Sequence, residues 1–474
     1  MFEQFLHKFG EVHKKVGAMT AARAVNVIAA LVVMMVLTRI LEPVEYGAYK
    51  KLWLIFMLFS PGITSMLVKT LYFRGELSGH RAAIWTAIFV GAVSSLIISV
   101  IIALASTPLA WAVQAPEISE PMRWFALYIL FATYSSVAEP IFVLAERKKW
   151  LLGYNLSYNL IESALIVVPF YLGLPLESVI QIMIAGPLLR SVFVTLFAAK
   201  QAGVPIWKEV TRELPVSLSY GLGVLLIFIT GIGITQIDKL IVAVMFESEE
   251  LYAIYVVGAQ TLPLIPAFIS SVSSAIIVQY AAQINSRNYD SALIAIRSAT
   301  DRLFLIITPI IVVCFFLAEP IMVVLFDQYA ESAPIFQIYA ITTIYKLFLA
   351  ETLLLATGRT RIIAVFNVGE VILNIPLSLA LIEFMGILGP AIATLIAHLI
   401  AILALTVYTA RTESLRVSNF LPSSKILPLL VSLPVLGGVS FFLIQSGISY
   451  FTTVIIGGLL CAGVISFHNR KFAL

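Results

Sequence analysis

Charged residues make up only 12% of this 474-residue chain, and cysteine occurs twice. Soluble domains carry about 25% charged residues, so the composition excludes an ordinary soluble protein. Cys314 and Cys461 stand singly in apolar runs, which excludes a disulfide framework and a thiolate metal site. Long polar loops are also missing, and with them room for an extramembrane catalytic domain. The chain has no phosphate-binding Walker motif, no Gly-x-Ser-x-Gly and no clustered histidine. Gly221-Leu-Gly223 and Gly231-Ile-Gly233 lack the third glycine and the strand of a dinucleotide site, and read as packing or bending points in a helix. The formal charge of +4 is too small to indicate a nucleic-acid partner.

What is present is apolar: hydrophobic residues make up 60% of the chain. A spanning helix needs about 20 of them, so the total suffices for about fourteen spans. Apolar stretches fall near 18–41, 47–71, 82–106, 122–145, 151–172 and 176–199, then near 217–246, 251–281, 303–326, 333–357, 362–383 and 387–410, and finally near 426–445 and 448–467. The expected fold is an all-α integral membrane protein. Residues 1–17 place Phe2, Phe5, Phe9 and Val12 at helical spacing among charges, the pattern of an amphipathic interfacial segment.

Lys and Arg collect on the cytoplasmic side of a membrane, which tests that assignment. With the N-terminus inside, the outer segments hold only Arg39, Lys50, Lys51 and Arg123, while Arg190, Lys239 and Lys346 fall within spans. The rest of the 30 Lys and Arg lie on the inner side. Both termini are therefore expected to be cytoplasmic.

Spans 1–6 and 7–12 show an internal repeat. Glu45-Tyr46-Gly-Ala-Tyr49 answers Leu251-Tyr252-Ala-Ile-Tyr255, and Pro61 answers Pro266, each about 205 positions apart. Ala138-Glu139 and Tyr154-Asn155 answer Ala350-Glu351 and Phe366-Asn367, and Gly186-Pro187 answers Gly389-Pro390. Six spans per unit preserve direction, so the halves should be parallel repeats with substrate handled between them. The expected organisation is an N-lobe over 18–205, a C-lobe over 206–412 and an appended helix pair over 413–474.

Function in such a chain should lie with its intramembrane charges, each of which costs about 2.5–3.5 kcal/mol and needs a partner or a use. Arg190, Lys239 and Lys346, with Arg23 and Lys69 nearer the inner mouth, can offer positive potential to a phosphate-bearing substrate. The alternative is interhelical ion pairing that only fixes the bundle. At 100° per residue Asp238 and Lys239 point apart, and Lys346 and Glu351 lie about 140° apart, so neither pair is expected to neutralise itself within its own helix. Glu139 and Glu351 at equivalent repeat positions, with Glu162, Glu370 and Asp238, are candidates for coupling to sodium or protons, or else for snorkelling and pairing. Tyr154, Asn155, Tyr158 and Asn159 can stack on and hydrogen-bond to sugar, or form an interfacial aromatic belt. Pro61-Gly62, and Pro263 with Pro266, are expected to interrupt spans 2 and 8, or to be tolerated kinks. His398, alone in span 12, reads as a structural histidine. No cofactor or metal is expected.

Leu37-Thr-Arg39-Ile-Leu-Glu-Pro-Val-Glu45-Tyr46-Gly47-Ala-Tyr49 resembles the segment joining the first two helices of polysaccharide flippases in the multidrug and oligosaccharidyl-lipid exporter superfamily. Gln236-Ile-Asp238-Lys239-Leu-Ile, Gly358-Arg-Thr-Arg361 and Gly389-Pro390-Ala-Ile-Ala-Thr394 look like later landmarks of the same group. The resemblance implies a V-shaped helical bundle in the bacterial inner membrane. It would move an isoprenoid-pyrophosphate-linked oligosaccharide, such as an O-antigen or other surface-polysaccharide repeat unit, to the outer leaflet by alternating access. Membrane lipid and other polysaccharide-assembly proteins would be its partners. A peptidoglycan lipid II flippase, a drug or cation antiporter of the same fold, and a membrane glycan polymerase or ligase are the alternatives.

Overall fold

The computed structural model describes residues 25–77, 80–145, 147–260, 262, 265–266, 268–269, 272–273, 276–277, 289–413, 415–423 and 427–472. Arg23, Pro263 and the amphipathic segment 1–17 lie outside the described residues. Among the described residues every regular element is helical, as a chain in hydrocarbon requires, because a helix satisfies its own backbone donors and acceptors. Among the described residues ten helices are long and apolar enough to span a membrane, or eleven if the bent pair Ala330–Leu347 and Ala350–Ala356 counts as one. Val25–Ile40 and Val431–Gln445 are shorter apolar helices, and the eighth expected span falls partly on residues outside those described.

The chain forms two compact units, residues 1–236 with 243–250, and residues 237–242 with 251–474. The first contains α1 (Val25–Ile40), α2 (Pro43–Leu77), α3 (His80–Leu104), α4 (Ser106–Ala112), α5 (Ser119–Tyr134), α6 (Ala138–Leu144), α7 (Lys148–Tyr171), α8 (Leu176–Met183), α9 (Ala185–Ala202) and most of α10 (Trp207–Met245). Its core packs Leu67 and Leu71 of α2 on Ile84 and Ile88 of α3, Ile141 of α6, and Val194 and Ala198 of α9. Leu104, Leu196 and many other apolar side chains remain exposed, as on a surface facing lipid tails. In the second unit, Val313 and Leu317 pack on Leu436 and Cys461, which attaches the last two helices to Tyr289–Phe316.

The internal repeat reappears in the backbone. In the first unit α5, a tight turn Ser135–Val137 and the short α6 follow one another; in the second the same order is Ala333–Thr342, Thr343–Leu347 and Ala350–Ala356. Gln114 and Asp327, at matching positions, both adopt the left-handed conformation that non-glycine residues rarely enter (φ 53° and 55°). Gly389 starts its helix where a Cβ would lie 2.6 Å from the backbone of Leu381 and Ile382, which accounts for the glycine of the Gly389-Pro390 landmark.

In span 2 the tolerated proline, not the interruption, is what the structure shows. α2 runs unbroken through Pro61, since one proline removes one hydrogen bond and the rest of a 35-residue helix holds the ladder. In the second unit the helix Glu249–Gly258 ends ahead of Pro263. What recurs in both units is a tight turn in spans 4 and 10, just ahead of Glu139 and Glu351, which bends the second of these spans by 42°. Each glutamate thus lies in the first turn of the seven-residue helical segment that follows the tight turn.

Candidate functional site

A cleft of about 500 Å³ lies wholly within the first unit, lined from α1, α2, α5, α6, α7 and α9. Its aromatic wall is built on α2 and α5. Trp53 meets Phe56, Phe125 and Tyr128 edge-on at 5.1–5.8 Å, and Tyr128 stacks on Phe125 at 5.2 Å. Such edge-on and offset contacts suit the ring quadrupoles and hold the wall rigid. Tyr128 donates its hydroxyl to Glu162 of α7, and Tyr72 donates to Glu139 at 3.3 Å. Both carboxylates line the cleft, each with one oxygen engaged by a tyrosine.

Arg190 enters from α9. Its Nε donates to the hydroxyl of Tyr154 at 2.8 Å, and its guanidinium lies 4.3 Å from the ring centre of Tyr158. Tyr154 and Tyr158 are one helical turn apart and stack at 6.4 Å, so the spacing read as a sugar-contact ridge also fixes the arginine. Asn155 and Asn159 line the cleft beside them, and Asn159 donates to Asn26 of α1 at 2.6 Å. Lys69 stands apart, exposed on α2, with its ammonium 4.6 Å from the ring centre of Phe228.

In the second unit, Asp238 is 1% exposed and accepts hydrogen bonds from Tyr255 at 2.8 Å and from Tyr339. Lys239 reaches both oxygens of Asp238 at 3.3 Å, contrary to the helical-wheel expectation. The wheel sets the directions of the Cβ atoms, whereas a flexible four-carbon stem folds back to an adjacent carboxylate. Lys239 also lies 5.2 Å from the ring centre of Tyr339. Lys346 and Glu351 flank the helix break without an ion pair between them, and Lys346 lies 5.7 Å from the ring centre of Tyr345. Glu370 meets His398, whose ring lies edge-on to Tyr345 at 4.3 Å. His398 is buried and partners one of the intramembrane carboxylates, in keeping with a structural histidine.

The first unit's structure brings together Glu139, Asn155, Tyr158, Asn159, Glu162 and Arg190, with Tyr154 holding the arginine. Asp238 and Lys239 form one cluster in the second unit, and Glu370 another with His398. Trp53, Tyr128, Asn26 and Lys50 were not singled out in the sequence, although all four line the cleft. Tyr128 had a signal, since a mid-span tyrosine hydroxyl needs a partner. Lys50 was assigned to an outer segment, yet α2 begins at Pro43 and carries it into the cleft.

Among solved structures, the fold is similar to the lipid II flippase MurJ in an inward-closed conformation (TM-score 0.70, 14% identity, 96% of this chain and 99% of that one). It is also similar to the eukaryotic MATE transporter AtDTX14 (TM-score 0.60, 15% identity, 85% and 96%). The Vibrio cholerae MATE transporter VcmN resembles it as well (TM-score 0.60, 14% identity, 86% and 98%). No curated protein matches the chain. The sequence profile of the family described as polysaccharide biosynthesis protein matches residues 36–334. This multi-pass membrane protein, with the fold of flippases and MATE transporters, belongs to the polysaccharide biosynthesis protein family.

Proposed function

We propose that the protein is a flippase that carries an isoprenoid-pyrophosphate-linked oligosaccharide from the cytoplasmic to the outer leaflet of a bacterial inner membrane, with both termini cytoplasmic. The observation that carries the reading is the cleft of the first unit. Between apolar helices of spanning length it presents an arginine, a lysine, three asparagines and an aromatic wall. Sugar hydroxyls and phosphate lose several kcal/mol when stripped of water without replacement hydrogen bonds. Amides, tyrosine hydroxyls and a guanidinium replace them, and ring faces suit the apolar faces of sugars. The lipid tail stays in the bilayer, and no covalent step is needed.

Arg190 would hold pyrophosphate in the first unit, and Lys239 and Lys346 would offer positive charge to a phosphate-bearing cargo in the second. Glu139 and Glu351, each in the helical segment after a tight turn, would couple transport to a sodium or proton gradient. A lipid II flippase would use the same chemistry, so the cargo decides between the two readings. The test is mass spectrometry of lipid-linked glycans in a strain lacking the protein, complemented with wild type or with Arg190→Gln. A finished repeat unit should build up on the inner leaflet and clear only with wild type. Accumulation of a peptidoglycan precursor would favour the second reading. Normal glycolipids with heightened drug sensitivity would refute both in favour of an exporter.

A further inference from the structure

The hydrogen-bonding capacity left free in the cleft is uneven. Tyr49 packs on Phe170 near the end of α7 at 5.5 Å, while Tyr72 reaches Glu139 of α6, whose Phe142 meets Tyr154 near the start of α7 at 5.0 Å, so α2 and α7 run antiparallel along it. Lys50 lies at one end and Asn155 at the other. From Lys50 to Val68, both lining residues on α2, the cleft extends about 27 Å at 1.5 Å per residue. Its carboxylates each have an oxygen occupied by a tyrosine. The donors are less committed. Asn155 is 5% exposed and its Nδ2 has no hydrogen-bond partner.

Among the described residues Lys50 forms no ion pair; its ammonium lies 5.3 Å from the ring centre of Tyr46. Its neighbour Lys51 supplies the contrast. That side chain is fully buried, with Nζ 3.0 Å from Glu249 and 3.2 Å from the carbonyl of Gln114. Of two adjacent lysines, one is consumed in the fold and the other is left to the cleft.

We infer that Lys50 is an anion-binding station, distinct from Arg190, which takes a phosphoryl or carboxylate group of the cargo at the far end of the cleft from Asn155. Arg190 lies beside Tyr158, and Lys50 follows Tyr49, which packs on Phe170. Along α7 these neighbours, Tyr158 and Phe170, are separated by about 18 Å of helix rise, which sets the two cations at different levels of the cleft. The group held at Lys50 is therefore either the carrier pyrophosphate at a later stage of passage or an acidic sugar. That identification rests on the flippase reading, whereas the binding chemistry does not.

The test uses the full chain in lipid nanodiscs, with inorganic pyrophosphate and glucuronate as separate probes. Lys50→Gln should lower affinity for at least one probe about tenfold, and Lys50→Arg should restore it. Loss for pyrophosphate alone assigns the station to the carrier, and loss for glucuronate alone assigns it to an acidic sugar. Unchanged affinity of Lys50→Gln for both probes overturns the inference. Should that variant fail to fold, acylation of the wild-type protein by an amine reagent decides. Lys50 should be labelled and at least one probe should slow the labelling, while equal labelling with and without both probes overturns the station. Binding at Lys50 with unchanged glycolipids in the deletion strain would refute the flippase reading and leave the station standing.

Discussion

The Lys51–Glu249 pair offers the sharpest test of the packing. The lysine side chain is 0% exposed and Glu249 17%, with 3.0 Å between ammonium and carboxylate. Removing one partner takes the nearest counter-charge from the other in a buried setting, a loss of up to about 3–5 kcal/mol. Removing both, and filling the space with apolar side chains of similar volume, abolishes that penalty, because the charges recover in mutual attraction little more than their burial costs. Glu249→Gln should therefore destabilise by up to about 3–5 kcal/mol, whereas Lys51→Met with Glu249→Met should fall within about 1 kcal/mol of wild type. The assay is reversible unfolding in mixed micelles by circular dichroism, read as a double-mutant cycle. A coupling energy above about 2 kcal/mol is expected. If Glu249→Gln costs less than about 1 kcal/mol, or the two substitutions add independently, the ammonium is hydrated and the contrast with Lys50 fails.

Gly47 packs so closely that a Cβ would lie 2.0 Å from the carbonyl oxygen of Glu249, while a Cβ at Gly153 meets nothing within 4 Å. Gly47→Ala should cost more than about 2 kcal/mol in the same unfolding assay, and Gly153→Ala should stabilise α7 by about 0.5–1 kcal/mol; equal effects would refute the packing. Asp238→Asn removes the charge that two tyrosine hydroxyls and Lys239 share, and should cost about 1.5–3 kcal/mol by the same measurement. Glu139→Gln with Glu351→Gln should abolish the gradient dependence of glycolipid transport in proteoliposomes while leaving pyrophosphate binding intact; unchanged gradient dependence would remove both residues from the coupling role.

Much of the candidate site was legible from residue type and spacing. Burying an ionisable group is so costly that its presence in an apolar run marks a partner or a use, which is how Glu139, Glu162 and Arg190 stood out. Tyr154 and Tyr158 were readable because residues four apart share a helix face. Partners on other helices were not readable. Tyr128 reaches Glu162, and His398 reaches Glu370, across separations that no local rule connects. Pro61 marked no break because a long packed helix absorbs one missing hydrogen bond. The recurrent tight turns before Glu139 and Glu351 carry no proline.

By itself the sequence determined that the chain is helical and membrane-spanning and that its halves repeat, since hydropathy, helical periodicity and repeated landmarks are properties of a linear string. Only the tertiary structure decided which charges are spent and which are free. Lys50 and Lys51 are adjacent and chemically identical, and they diverge because about 100° of helical rotation points one into a cleft and the other at Glu249.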